Sequence, residues 1–178
     1  SDVYKRQVLP WDYDKDAYAD LECRDYGEQL IMPSFIDAHT HMFSGAIDAS
    51  DYVCDTLGEC TSQEECAQMI AAYATEHPNQ RRIRGVGWFV GAWNDAPMPD
   101  CRSLDALIPD RPVYLLCADS HSMWLNTKAM EEVGFAADFD VENGEVCRFP
   151  DGSLSGLFIE PAAYEPAMQK YMEFSATE

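Results

Sequence analysis

The chain has 178 residues, of which 47% are hydrophobic and 12% are aromatic. This composition is typical of one globular domain with a hydrophobic core, and it argues against a disordered chain. The 32 acidic residues outnumber the 12 basic ones, giving a formal net charge of −20. Such a surface repels nucleic acid and anionic membranes, and no apolar run approaches the roughly 20 residues that cross a bilayer. The sequence therefore predicts neither nucleic acid nor a membrane as a partner.

The seven cysteines are odd in number and include no CxxC pair. Three of them, Cys54, Cys60 and Cys66, recur every six residues, which matches no standard zinc spacing. We therefore expect mostly free thiols, rather than disulfides, in a reducing cytoplasm. Residues 1–7 are polar, lack the apolar core of a secretory signal and resemble adaptor-derived translation, so they are not expected to belong to the fold.

The predicted elements begin after a mixed, acidic segment. A first strand is expected over residues 29–37. A helix is then expected to start at Thr61-Ser62, with a hydroxyl as N-cap and Glu64 in the capping-box position, and to end at Pro78-Asn79. A second strand follows over residues 83–90, and a short helix opens at Ser103 and closes before Pro109.

The second half of the chain continues the alternation of strands and helices. Residues 113–118 form a continuous apolar run, as expected for a buried parallel strand, and residues 126–133 predict a helix stopped by Gly134. Asn143-Gly144 is a hairpin signature, so a small hairpin is expected over residues 141–149. A further strand is expected over residues 156–159, before an amphipathic helix-like segment at 165–178. This order predicts a parallel α/β unit.

His39 and His41 carry the strongest chemical signal in the sequence. A strand alternates its side chains with period two, so Asp37, His39 and His41 share one face. Two imidazoles on one face can bind a transition metal such as Zn²⁺. Two buried, hydrogen-bonded core histidines would give the same pattern.

The segment around these histidines resembles the first barrel strand of the amidohydrolase superfamily. The resemblance covers roughly residues 27–167 and is closest to the family 3 branch, which includes YtcJ-like proteins and N-substituted formamide deformylases. It is carried by spaced motifs in the same order: residues 30–41, 85–88, 103–105, 109–113, 119–129 and 151–160. One departure is Ser34, which stands where the family usually has glycine.

The resemblance implies a (β/α)₈ barrel with a small β-sandwich formed by the two ends of the chain. Residues 8–32 would be a remnant of the sandwich, and residues 33–178 would be the N-terminal part of the barrel, about strands one to four. A complete barrel needs typically ~250 residues. We therefore expect the family's further metal-binding histidines and its catalytic Asp to lie beyond this chain, which would be poorly stable and inactive alone.

The resemblance also implies roles for single residues. His39 and His41 stand where the family places its first two metal ligands, and Glu160 stands where it places a bridging carboxylate. The cofactor would be a divalent metal, most often zinc, which activates water to attack an amide or similar carbon–nitrogen bond of a small molecule. Glu160 is equally explained as a helix-entry residue before Pro161, where negative charge suits the helix dipole.

Four residues are candidates for substrate contact. Asp119 and His121 lie two apart just beyond the strand at residues 113–118, so both are expected at the catalytic end of the barrel. His121 could instead be a hydrogen-bonded structural histidine. Trp88 could line a pocket or belong to the core, and Asn126 could instead hold its loop by backbone hydrogen bonds. The alternative to a hydrolase is a small non-catalytic α/β domain that binds a metal or ligand.

Overall fold

The computed structural model describes residues 14, 16–20, 22, 24, 26–30, 32, 34, 42–93 and 97–174. The chain divides into two compact units, Ser1–Thr40 and His41–Glu178. The described part of the first unit holds a 3₁₀ helix, Asp16–Tyr18, and a turn closed by the hydrogen bond from the Gln29 amide to the Tyr26 carbonyl, 3.2 Å.

The predicted first strand falls mostly outside the described residues. Within 29–37, the structure describes positions 29, 30, 32 and 34, and it assigns none of these four to a strand. His39 and His41 also lie outside the described residues. The predicted metal pair therefore stays a prediction.

The second unit contains the helices and strands that position the site. The helices are α1 (Met42–Asp48), α2 (Gln63–Glu76), α3 (Cys101–Asp105), α4 (Thr127–Val133) and α5 (Pro161–Tyr171), and the strands are β1 (Ile83–Trp88), β2 (Val113–Cys117), β3 (Ser122–Leu125), β4 (Glu145–Arg148) and β5 (Leu154–Ile159). Short 3₁₀ helices span Leu57–Glu59 and Val90–Ala92.

The five strands form one mixed sheet in the order β1-β2-β3-β5-β4. β1 and β2 are parallel, whereas β3 is antiparallel to both β2 and β5, and β4 is antiparallel to β5. The α/β class is confirmed, but the expectation of a parallel arrangement throughout was wrong. The chain leaves β2 through a turn closed by the hydrogen bond from the Ser120 amide to the Cys117 carbonyl, 3.0 Å, and returns at once as β3. A connection this short can only join antiparallel strands.

Two helices show how well local sequence signals predict where a helix begins and ends. α4 begins and ends as predicted, with the Asn126 side chain accepting a hydrogen bond from the Ala129 amide and Gly134 at φ +82°. The start of α2 was predicted one residue too early. Ser62, not Thr61, is the N-cap, and the capping carboxylate belongs to Glu65, which accepts hydrogen bonds from the amide and hydroxyl of Thr61.

The predicted hairpin at residues 141–149 was placed wrongly. β4 pairs instead with β5, and residues 149–153 form the turn, in which the Phe149 amide donates to the Ser153 carbonyl at 2.8 Å. The Arg148 guanidinium stabilises this turn by donating to the carbonyls of Gly152, Ala137 and Phe139. Asn143-Gly144 therefore precedes β4 rather than joining two strands.

Helices cover both faces of the sheet. The side chains of β2 alternate between two apolar clusters, with Leu115 in one and Tyr114 and Leu116 in the other. The first cluster includes α2 and α3, and the second includes α4 and α5. Because β2 is buried on both sides, its sequence is a continuous apolar run.

An arginine network ties β1 to the helices at the end where β1 begins. Arg82 donates from Nε and a terminal nitrogen to both carboxylate oxygens of Glu132, at 2.8 and 3.0 Å, and Tyr114 donates to the same carboxylate at 2.8 Å. Arg84 is fully buried and donates to the carbonyls of Tyr171 and Glu173, both at 2.8 Å. These contacts link β1, β2, α4 and the segment after α5.

The described residues bear on two expectations from the sequence, free cysteine thiols and the lack of a membrane-spanning segment. Six of the cysteines lie there, and all six carry free thiols, as predicted. Among the described helices, none combines the length and the apolar character needed to span a membrane.

Candidate active site

Three of the predicted site residues meet at one edge of the sheet. β1, β2 and β5 run in the same direction, so their carboxyl ends share an edge. Asp119 and His121 belong to the turn that follows β2, and Glu160 directly follows β5. In open α/β sheets and in barrels alike, ligands bind at this edge.

His121 and Glu160 are in direct contact. The Nδ1 atom of His121 lies 3.0 Å from Oε2 of Glu160, and the Glu160 amide donates to the His121 carbonyl at 2.7 Å. The Asp119 carboxylate accepts a hydrogen bond from the His121 amide at 2.9 Å. The side chains of His121 and Glu160 are 61% and 49% exposed, so solvent and small molecules can reach both.

The contacts shift the protonation of two of these groups. The hydrogen bond to Glu160, together with the negative charge of that carboxylate, raises the pKa of His121. The hydrogen bond from the His121 amide lowers the pKa of Asp119. The edge therefore carries an ionised carboxylate at Asp119 and an imidazole that retains its proton to higher pH than an ordinary histidine.

Two residues at this edge have positive φ although neither is glycine. Ser120 has φ +60°, and Glu160 has φ +69° with ψ 147°. Non-glycine residues in such regions cost of order 1–3 kcal/mol each and persist only where the surroundings hold them. Glu160 also caps α5, whose first helical residue is Pro161, and it does so without a side-chain capping hydrogen bond.

Tyr164 is the site residue that the sequence prediction missed. It lies in the first turns of α5, it is 5% exposed, and its hydroxyl donates to the Ser120 carbonyl at 2.5 Å. Burial raises the pKa of Tyr164. The sequence offered no signal for this role, because a tyrosine at position 164 is also consistent with an ordinary core aromatic.

The two remaining candidates lie within the scaffold. Trp88 is 1% exposed in the core beside Trp93 and Trp124, and its indole nitrogen donates to the Leu115 carbonyl at 3.0 Å. This core position explains Trp88 without a substrate, so a pocket role stays a prediction.

Asn126 is fully buried, and its side chain makes four hydrogen bonds. Its amide oxygen accepts from the amides of Val113 and Ala129, both at 2.9 Å. Its amide nitrogen donates to the carbonyls of Ile108 and Arg111, at 3.0 and 2.9 Å. These four bonds use both donors and both lone pairs of the side chain. They agree with the alternative prediction that Asn126 holds its loop by backbone hydrogen bonds, and they do not favour the predicted substrate contact.

The side chains at this edge include some of the ligand types that a divalent cation needs. Imidazole and carboxylate are ligands for zinc, iron and manganese. In residues 42–93 and 97–174 and the described positions before them, no group of three or more His, Cys, Asp or Glu side chains could hold a metal ion. The donors around Glu160 can therefore supply only part of a metal site.

The profile of a family described as "Amidohydrolase family" matches residues 24–178. The chain is 28% identical over 148 residues to an N-substituted formamide deformylase of Arthrobacter pascens, covering 83% of this chain and 27% of that protein. It is 24% identical over 155 residues to the putative amidohydrolase YtcJ of Bacillus subtilis (strain 168), covering 83% of this chain and 29% of that protein. The chain thus spans less than a third of the length of these curated relatives.

The fold is also similar to a solved structure. A crystal structure of an uncharacterised metal-dependent hydrolase from Pyrococcus horikoshii OT3 superimposes with a TM-score of 0.50 and 23% identity. The match covers 78% of this chain and 24% of the other. At this identity the likeness concerns the fold alone.

Proposed function

Because the chain belongs to the amidohydrolase family, we propose that it forms part of a metal-dependent hydrolase acting on carbon–nitrogen bonds other than peptide bonds. The observation that carries the proposal is the contact between Glu160 and His121 at the carboxyl edge of β2 and β5. A divalent metal, most often zinc in such enzymes, would polarise the scissile carbonyl and lower the pKa of a water molecule.

The residues of this chain would have distinct roles in that site. His39, His41 and Glu160 would be metal ligands, as the family resemblance implies. His121 and Asp119 would face the substrate, and because Nδ1 of His121 contacts Glu160, its other ring nitrogen, Nε2, would hydrogen-bond the substrate. The substrate would be a small molecule with an amide, N-formyl or N-acyl group, a class supported by the name of the Arthrobacter relative.

The proposal includes the wider fold and setting. We propose that residues 33–178 form the N-terminal part of a (β/α)₈ barrel, about strands one to four, and that residues 8–32 belong to a small β-sandwich. The common direction of β1, β2 and β5 and the fold likeness to a metal-dependent hydrolase support the barrel assignment, in which the antiparallel β3 and β4 would be additions to the regular order. A cytoplasmic location, without nucleic-acid or membrane partners, belongs to the same proposal.

A hydrolysis assay tests the proposed function. The 178-residue chain, and a longer clone that continues the same reading frame through a barrel of ~250 residues, would each be loaded with Zn²⁺. Release of amine from a panel of N-formyl and N-acyl compounds would then be measured. We expect activity from the longer clone alone. Inactivity of the longer clone on every compound would contradict the hydrolase proposal, and a stop codon directly after Glu178 would favour the small binding domain.

A further inference from the structure

The turn that carries Asp119 and His121 is attached to the start of α5 at two places. Glu160, which precedes α5, contacts the His121 ring through its carboxylate and the His121 carbonyl through its amide. Tyr164, one helical turn further on, donates its hydroxyl to the Ser120 carbonyl. The first attachment involves proposed site residues. The second involves Tyr164, a buried residue that has no role in the proposed function.

The Tyr164 hydrogen bond holds the residue at which the turn is strained. Ser120 has φ +60°, which a residue with a side chain adopts at a cost of order 1–3 kcal/mol. The Tyr164 ring itself is fixed, because it is 5% exposed and belongs to the same apolar cluster as Met123 and Phe158. A rigid hydroxyl therefore fixes the carbonyl of Ser120, the residue directly before His121.

We propose that Tyr164 is a positioning residue of the active site. Its hydroxyl, through the Ser120 carbonyl, holds the turn in the conformation that brings the His121 imidazole onto the Glu160 carboxylate. The inference rests on the proposed metal-dependent hydrolase, in which Glu160 is a metal ligand. Residues that orient metal ligands typically change metal affinity 10–100-fold when they are replaced.

The same helix offers a matched control for this proposal. Tyr171 lies near the other end of α5, is 1% exposed and donates its hydroxyl to Asp48 at 3.0 Å. Tyr164→Phe and Tyr171→Phe each remove a single hydroxyl from a buried ring of this helix. Both variants lose one hydrogen bond of the fold, but only Tyr164→Phe loses a contact with the Asp119–His121 turn.

Zn²⁺ affinity is the first readout. Competition with a chromophoric chelator would be measured on the longer wild-type clone described above and on both variants made in it. We expect Tyr164→Phe to bind Zn²⁺ about tenfold more weakly, and Tyr171→Phe to remain within about twofold of wild type. Equal affinities for Tyr164→Phe and wild type would overturn the proposal, as would equal losses in the two variants.

The second readout separates this inference from the proposed function. Long-range ¹H–¹⁵N spectra of the metal-free protein, recorded at one pH, report the hydrogen bond of the His121 Nδ1 atom. We expect this signal to move in Tyr164→Phe and to stay in place in Tyr171→Phe. If the longer wild-type clone binds no Zn²⁺, the metal proposal fails, and an unmoved His121 signal in Tyr164→Phe would then overturn the positioning role on its own.

A second pair of variants covers the case in which Tyr164→Phe does not fold. Glycine adopts positive φ without strain, so Ser120→Gly should fold and keep the carbonyl that Tyr164 contacts. We expect Ser120→Gly to retain the His121 signal and the Ser120→Gly/Tyr164→Phe double variant to lose it. Identical spectra for these two proteins would contradict the proposal.

Discussion

Glu132→Gln removes the negative charge at the centre of the arginine network. Arg82 gives the Glu132 carboxylate two hydrogen bonds, and the two side chains are only 6% and 14% exposed. Removing one partner of a buried ion pair costs about 3–5 kcal/mol. Since glutamine keeps one acceptor and Arg82 keeps its contacts with Glu173, we expect a smaller loss of about 2–3 kcal/mol in the free energy of unfolding.

The loss should depend on pH. Burial acts to raise the pKa of the Glu132 carboxyl, but hydrogen bonds from Arg82 and Tyr114 and the charges of both neighbouring arginines offset this, so that pKa lies below its usual value. A lowered pKa stabilises the folded protein above the unfolded pKa of about 4.3, and the contribution disappears as the pH falls through the folded value. The difference between wild type and Glu132→Gln should therefore be full at pH 7 and shrink below about pH 4.

Urea unfolding followed by tryptophan fluorescence measures this difference, with Glu131→Gln as the control. Glu131 is the neighbouring residue on α4, and it is 58% exposed beside Lys128. Exposed pairs of this kind contribute about 0–1 kcal/mol. Complete unfolding of Glu132→Gln under conditions where Glu131→Gln stays folded also fulfils the prediction. Equal stability of the two variants, or a difference that persists at low pH, would refute the role of the network.

Two further substitutions test the scaffold beneath the site. Gly156→Ala should lower the free energy of unfolding by at least about 3 kcal/mol, because Gly156 has φ +88° and an added methyl would overlap the Leu125 carbonyl oxygen. Gly152 has the same φ but nothing within 4 Å of an added methyl, so Gly152→Ala should lower it by only about 1–2 kcal/mol. Similar unfolding midpoints for the two would contradict this account. Asn126→Ala should lower the free energy of unfolding by about 2–4 kcal/mol, because four backbone groups lose hydrogen bonds, of which three are buried and one is partly buried. Asn143→Ala, at an exposed position, should change it by less than about 0.5 kcal/mol in the same thermal or urea unfolding experiment. A small effect at Asn126 would show that its bonds are replaceable.

Local signals in the sequence predicted α4 and the buried strand β2 well, whereas α3 begins two residues before the predicted Ser103, and α5 spans Pro161–Tyr171 rather than residues 165–178. Asn126 and Gly134 mark the two ends of α4 because a capping side chain and a left-handed residue satisfy backbone groups that the helix leaves open. The order of β3 within the sheet had no comparable signal. β3 is four residues long, and the turn before it uses Ser120 at positive φ instead of glycine. The Asn143-Gly144 signature was misleading because pairing with β5 placed the hairpin turn several residues later.

The site could be predicted only as far as the edge of the sheet. Strand direction places Asp119, His121 and Glu160 at one edge, and the sequence indicated as much. The direct contact between His121 and Glu160 depends on the unusual backbone of Glu160, for which a Glu-Pro dipeptide gives no warning. Tyr164 looked like an ordinary core aromatic, since only the folded structure reveals the carbonyl that its hydroxyl contacts.

Zn²⁺ titration of the longer clone, which continues this reading frame, tests the central claim most directly. Four histidines lie within the 178 residues, and one of them, His77, stacks on Tyr73 at the C-terminal end of α2. We expect saturable Zn²⁺ binding that weakens about tenfold or more in His39→Ala, His41→Ala and Glu160→Ala, and that is unchanged in His77→Ala. Absence of binding to the wild-type longer clone, or equal weakening in all four variants, would contradict the assignment of this chain to a metal-dependent hydrolase site.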